Sequence, residues 1–171
     1  IFHEDMHAET LTFIRQTLGY PRPNISTGSA TPLLTAIDRD FQFHDVDVPG
    51  GTFCLGAYPG APFVFDNEKW GYSVEIEPFS ISVTPVTNAE FLEFVEADGY
   101  HLQGIWGRRG KDWLRSRKAE LPLFWHKDSD GRWYRRDFDQ FLPLEPYHPV
   151  VHVNWYEANA YCNWAHRRLP T

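Results

Sequence analysis

Val86-Thr87-Asn88-Ala89-Glu90-Phe91, followed by Asp98-Gly99-Tyr100 and, far downstream, Asn154-Trp155-Tyr156-Glu157, are the stretches on which the fold turns. Thr87 and Glu90 stand three apart and form a capping box: the Thr hydroxyl accepts from the Glu90 amide while the Glu carboxylate reaches back. The helix behind them presents Phe91, Phe94 and Val95 on one side and stops at Asp98-Gly99. Asn154 and Glu157 repeat the arrangement ahead of a helix reaching about His166, and Pro149-Val150-Val151-His152-Val153 reads as a strand leading into it. Between the two boxes lies a loop-rich stretch, Tyr100 to Tyr147, carrying Trp106, Trp113, Trp125 and Trp133.

Upstream the period changes to two. Phe41 to Val48 alternates, Pro49-Gly50-Gly51 has turn composition, and Thr52 to Gly56 follows, which together predict a hairpin. A further strand is expected over Ser73 to Glu77, continuing past Pro78 into Phe79 to Val83. From Pro21 to about Asp40 the composition is that of a connector, with a short helical turn expected around Pro32 to Ile37. Before it, Met6, Leu11, Ile14 and Leu18 recur at helical spacing, and Gly19 and Pro21 end a helix over residues 1–18. The chain opens inside that helical pattern and stops just after another helix, so it is expected to be an internal piece of a longer polypeptide.

Bulk properties set limits. At 171 residues the chain suffices for one well-buried domain and part of a second. An aromatic content of 16% favours a packed core over disorder, and a net charge of −7 gives no global basic field for DNA or an anionic membrane. No apolar run approaches the roughly 20 residues that span a bilayer. Two cysteines, Cys54 and Cys162, are too few and too far apart for a disulfide framework, so a cytoplasmic location is the default expectation.

The opening helix carries His3-Glu4-Asp5-Met6-His7, two histidines one turn apart on one face. As a bare pattern this is H-E-x-x-H, in which a zinc protease would use Glu4 as general base. One protease subclass needs Gly and His where Thr10 and Phe13 stand; the other needs a Glu from a later helix, and a proline-rich connector follows instead. Two further readings stay open on spacing alone: ordinary polar residues on an amphipathic helix, and two ligands of a three-histidine iron site, since imidazole suits iron as well as zinc.

Several separated motifs bear on the choice. Val86 to Phe91, Asp98 to Tyr100, His148-Pro149-Val150, Asn154-Trp155 through Trp164-Ala165, and Arg168-Leu169-Pro170-Thr171 together resemble the formylglycine-generating-enzyme fold, a variant of the C-type lectin architecture. Phe63 to Glu68 further resembles its ergothioneine-type sulfoxide synthase branch, in which a DinB-like helical bundle carries an H-x-x-x-H pair just before this domain. The resemblance implies an α+β chain: residues 1–20 as the last helix of a DinB-like bundle, 21–44 as linker, and 45–171 as a formylglycine-generating-enzyme-like domain, incomplete at its C-terminus. It also implies Fe(II) held by His3, His7 and a third histidine upstream of the chain. The implied activity is O₂-dependent C–S bond formation between a hercynine-like histidine derivative and a cysteine-type thiol, with the sulfur oxidised to the sulfoxide. Catalytic groups such as the tyrosine acid would lie outside the chain. Members often carry Gln just before the second ligand; here Met6 stands there, as a substrate contact that donates no hydrogen bond. That departure brings in a selenoneine synthase variant, which would join hercynine to a selenium-sugar donor. A non-catalytic lectin-like binding module is the alternative of a different class.

Arg108, Arg109, Lys111, Arg115, Arg117 and Lys118 crowd around Trp106 and Trp113. They are read as a solvated loop over two core tryptophans, in preference to a carboxylate or single-strand nucleic-acid grip. Cys162 is expected in the core, Cys54 to be structural, and His44, His101, His126, His148, His152 and His166 show no ligand-like spacing.

Overall fold

The computed structural model of the chain describes residues 2–24 and 44–170. A long helix, α1 (Phe2–Leu18), comes first, then strands β1 (Asp45–Val48), β2 (Gly51–Leu55), β3 (Tyr72–Ile76) and β4 (Phe79–Ser82). Helices α2 (Asn88–Glu96) and α3 (Arg108–Arg117), strands β5 (Trp125–Lys127), β6 (Trp133–Asp137) and β7 (Gln140–Pro143), and helix α4 (Trp155–Trp164) complete the order. Among the described residues, α1 and everything from Val86 onward form one compact unit, and the stretch ending at Pro85 forms another. Residues 25–40 of the connector, with its expected turn at Pro32 to Ile37, lie outside the described residues, as do Phe41 to Phe43.

In the smaller unit the expected hairpin is not formed. Strand β1 pairs with β4, from Asp45↔Ser82 to Val48↔Phe79, and β2 pairs with β3, from Gly51↔Ile76 to Leu55↔Tyr72. One register runs through both antiparallel ladders, and carrying it across the gap sets Pro49 opposite Pro78. Neither proline has an N–H to give, so the ladder is interrupted there and resumes beyond. A Cβ on Gly50 would meet the Ile76 carbonyl at 2.6 Å and the Pro78 ring at 2.7 Å, so glycine is what lets the two arms pass. Pro49-Gly50-Gly51 thus breaks a long two-stranded ribbon instead of turning it. The Phe63 to Glu68 segment ends in a 3₁₀ turn, Asp66–Glu68, where Lys69 pairs with Asp66 at 2.7 Å.

The larger unit is built on the two capping boxes. The Glu90 amide donates to the Thr87 hydroxyl (3.3 Å), and the Thr87 amide donates to the Glu90 carboxylate (2.8 Å). At α4, Asn154 Oδ1 accepts from the Tyr156 and Glu157 amides, and Glu157 Oε2 accepts from the Asn154 amide at 2.8 Å. The faces so started meet in a core of Phe91, Phe94, Tyr100, Trp106, Trp125, Ala160, Tyr161 and Cys162. Phe91 stacks on Tyr161 with centroids 5.3 Å apart, and Trp106 on Trp113 at 6.1 Å. Helix α2 stops where expected: Asp98 takes a positive φ, and a Cβ on Gly99 would lie 2.3 Å from the Phe94 ring.

Two further expectations give way to the structure. Pro149 to Val153 makes one antiparallel bridge, Thr87↔Pro149, and no strand, because His152 turns to a φ of +63° and ends the extension. Tyr100 to Tyr147 is far from a plain loop: it holds α3 and the antiparallel sheet β5-β6-β7. Removing the Phe94 ring, which is fully buried, should cost about 3–5 kcal/mol. Urea unfolding of Phe94→Ala followed by tryptophan fluorescence should show the midpoint falling with the slope unchanged.

Candidate functional site

Helix α1 positions the histidine pair. At i and i+4 the two rings rise from adjacent turns of one face, and their Nε2 atoms converge to 2.9 Å, with centroids 4.5 Å apart and planes nearly perpendicular. That spacing serves an N–H···N hydrogen bond in which one ring donates. It also suits two ligands of one ion. With metal–nitrogen bonds of about 2.1 Å, cis positions of an octahedron place two nitrogens roughly 3.0 Å apart, against roughly 3.4 Å at a tetrahedral ion. Two imidazole nitrogens so placed fit a bound metal. Among the described residues no group of three or more His, Cys, Asp or Glu side chains gathers as a metal site, so His3 and His7 stand as a pair.

Met6 is exposed beside His7, and its carbonyl accepts from Thr10 Oγ1 at 2.8 Å. Glu4 is exposed on the same helix. The stripe of Met6, Leu11, Ile14 and Leu18 is exposed as well, with Phe2 and Phe13 beside it. One side chain of α1 is buried, Gln16, and nothing in its local sequence marks it, because its partners are backbone groups 120 and 122 residues away.

The remaining candidates are dispersed. Trp106 is buried, and Trp113, a half-buried residue of α3, stacks on it, so the two rings serve the core as expected. Lys111, Arg115 and Lys118 line a cavity of about 320 Å³ over Tyr100 and Trp106. Arg115 is already paired with Asp112. Cys162 is buried in the core, as expected, and Cys54 is exposed. His101 pairs with Asp98 at 2.7 Å, and the His152 ring stands edge-on to Phe124.

Sequence reasoning missed an electrostatic cluster on the β6 strand. Arg135 makes a two-pronged contact with Glu145, 2.6 Å from Nε and 2.8 Å from Nη2, and reaches Asp137 at 3.0 Å. The backbone carbonyl of Glu145 accepts from Asn88 Nδ2 at 2.8 Å, so this ion pair braces the segment that meets the start of α2. The alternation in Trp133 to Asp137 and the turn composition of Asp128-Ser129-Asp130-Gly131 were the available signals for that hairpin.

Residues 38–171 match the sulfatase-modifying factor enzyme 1-like domain. The chain belongs to that family. Its α+β architecture of helices with small antiparallel sheets is therefore that of the formylglycine-generating-enzyme, C-type-lectin-like fold. A formylglycine-generating enzyme of Streptomyces coelicolor is 36% identical over 74% of the chain and 43% of its own length. Hercynine oxygenases of Mycolicibacterium smegmatis and Mycobacterium tuberculosis are each 37% identical over the whole chain, histidine helix included. The chain spans 38% and 39% of the length of those two relatives.

The Arg135 fork holds the Glu145 carboxyl below its ordinary range, outweighing partial burial. A carboxyl depressed in the folded state stabilises above its unfolded pKa of about 4.3 and loses that contribution as pH falls through the folded value. Thermal melts should show stability declining below about pH 5, with Glu145→Gln melting lower at neutral pH but giving a flatter acid limb.

Proposed function

We propose that the protein acts in an ergothioneine-type sulfoxide synthase, with His3 and His7 as two of three histidine ligands to a non-haem Fe(II). The observation that carries this is the convergence of the two Nε2 atoms to 2.9 Å on a helix that the hercynine oxygenase relatives share with the chain. The formylglycine-generating enzyme relative matches only 74% of the chain, so it is the whole-chain likeness that favours this branch. The third ligand is assigned to a histidine upstream of residue 1, in a DinB-like helical domain of which α1 is the last helix, with residues 21–44 as the linker to the family domain.

The overall reaction joins a thiol and a ring C–H of a hercynine-like imidazole with one O₂. One oxygen atom goes to the sulfoxide and the other leaves as water with the two hydrogens. Bound Fe(II) would supply Lewis acidity toward the thiol and electrons for O₂. The work left to the chain is placement. The i, i+4 spacing fixes two ligand directions before any metal arrives, which lowers the entropic cost of assembling the site. Neutral imidazoles add no charge, which suits an anionic thiolate partner. Met6, beside His7, offers the substrate ring an apolar, polarisable thioether contact in place of a hydrogen bond. Glu4 takes no part as a base in this reading.

Full-length protein purified without oxygen should contain about one iron per chain and consume O₂ with hercynine plus a cysteine-type thiol. His3→Ala/His7→Ala should lose the iron and the O₂ uptake together. Unchanged iron and unchanged uptake in that variant would sink the assignment of His3 and His7 as ligands, whereas absence of both in the wild-type protein would leave the lectin-like binding module in its place.

A further inference from the structure

The C-terminal end of α1 is tied to the β6–β7 hairpin by directional polar contacts. Gln16, 7% exposed on a helix otherwise open to solvent, spends both amide atoms on the two peptide groups that flank Asp137. Its Nε2 donates to the Arg136 carbonyl at 3.1 Å, and its Oε1 accepts from the Phe138 amide at 2.5 Å. Arg136 returns the contact: Nη1 donates to the Phe138 carbonyl at 2.7 Å, and Nη2 to the Thr17 carbonyl of α1 at 3.3 Å. A cation there also complements the negative end of the helix dipole. Gly19 makes room, since a Cβ on it would lie 2.8 Å from Arg136 Nη1. Arg22 adds an ion pair with Asp137 and lies over the Phe138 ring.

The hairpin side of this junction is held in an unusual backbone state. Phe138 has a φ of +54° and Phe124, whose ring lies 4.1 Å beneath the Arg136 guanidinium, a φ of +76°. Bulky residues occupy that region only where their surroundings over-determine it. Gln16 and Arg136 both bind the peptide groups of Phe138, so they belong to what does so.

Gln16 stands nine residues beyond His7, which is a half-turn of azimuth and about 13 Å along the axis. It therefore grips the hairpin from the face opposite the histidines and leaves them unobstructed. Hydrogen bonds are directional where apolar contact is not, so this grip admits one rotation of the helix. A slip of one residue would swing both rings by roughly 100°.

We propose that Gln16 and Arg136 are positioning residues, which fix the rotation and register of the histidine helix against the β6–β7 hairpin and so set where the metal-binding pair stands relative to the family domain. The catalytic consequence rests on the function proposed above; the geometric claim does not. The test uses full-length protein carrying Gln16→Leu, with Arg136→Lys as a second variant that keeps the charge and loses the two-pronged reach. Cu(II) bound by His3 and His7 and a nitroxide on Ser129→Cys, in a Cys54→Ser background, give a distance distribution by pulsed EPR. Wild type should give one narrow distribution, and both variants a clearly broader or displaced one. With Fe(II), the variants should retain wild-type iron content while kcat falls roughly tenfold to a hundredfold, the penalty expected of small misplacement. An unchanged distance distribution in folded variants overturns the positioning role whatever the activity. A changed distribution with kcat and KM unaltered reduces the grip to a structural one. Absence of iron and O₂ uptake in wild type would instead count against the proposed function, while the copper distances still judge the grip.

Discussion

A single buried carboxylate joins the two halves of the lectin-like core. Glu157 is 2% exposed, and its two oxygens go to different tasks: one accepts from the Asn154 amide and starts α4, the other accepts from the Tyr100 hydroxyl at 2.6 Å. Burial pushes the Glu157 pKa up, and the Tyr100 and Asn154 hydrogen bonds pull it back. A buried carboxylate is tolerated only when its lone pairs are met, so helix start and tyrosine placement become one event. From Tyr100 the order spreads to the core rings, with Trp106 giving its indole N–H to the Gly99 carbonyl at 2.9 Å. The aromatic stack between α2, α3 and α4 is built on that footing.

The histidine helix is held in a different way. Its apolar stripe is exposed among the described residues, and the one side chain it buries is polar. An attachment of this kind contributes little to hydrophobic stabilisation and much to orientation, because each hydrogen bond fixes a direction as well as a distance. Such a division suits the role proposed for the helix, which is to hold two ligands at a set angle. The formylglycine-generating enzyme relative matches only part of the chain and the hercynine oxygenases match all of it.

How much of this was legible depended on how far each partner lay along the chain. The caps at Thr87 and Asn154 were readable because donor and acceptor stand three residues apart. The same locality made the His3–His7 pair visible. The hairpin at Pro49-Gly50-Gly51 was misread because its composition is that of a turn, while the decisive fact, Pro78 standing opposite Pro49, belongs to a strand pairing no local pattern reveals. Helix α3 escaped notice because Gly107 provides no side-chain cap and the helix is dominated by charged residues. Gln16 was invisible for a plainer reason: one glutamine among exposed neighbours looks like any other until the hairpin peptides arrive beside it.

By itself the sequence determined the α+β character, the two capped helices of the core, the family to which the domain belongs, and a histidine pair spaced to share an ion. All of these rest on contacts within a turn or two, or on motifs kept in order. The tertiary structure alone decided the continuous ribbon register, the burial of Glu157 against Tyr100, and the grip of Gln16 and Arg136 on the histidine helix. Those depend on groups brought together from 17 to 122 residues apart. Such pairings carry no local signature, because the chain entropy of closing those loops is met by the packing of the whole domain and not by any one segment.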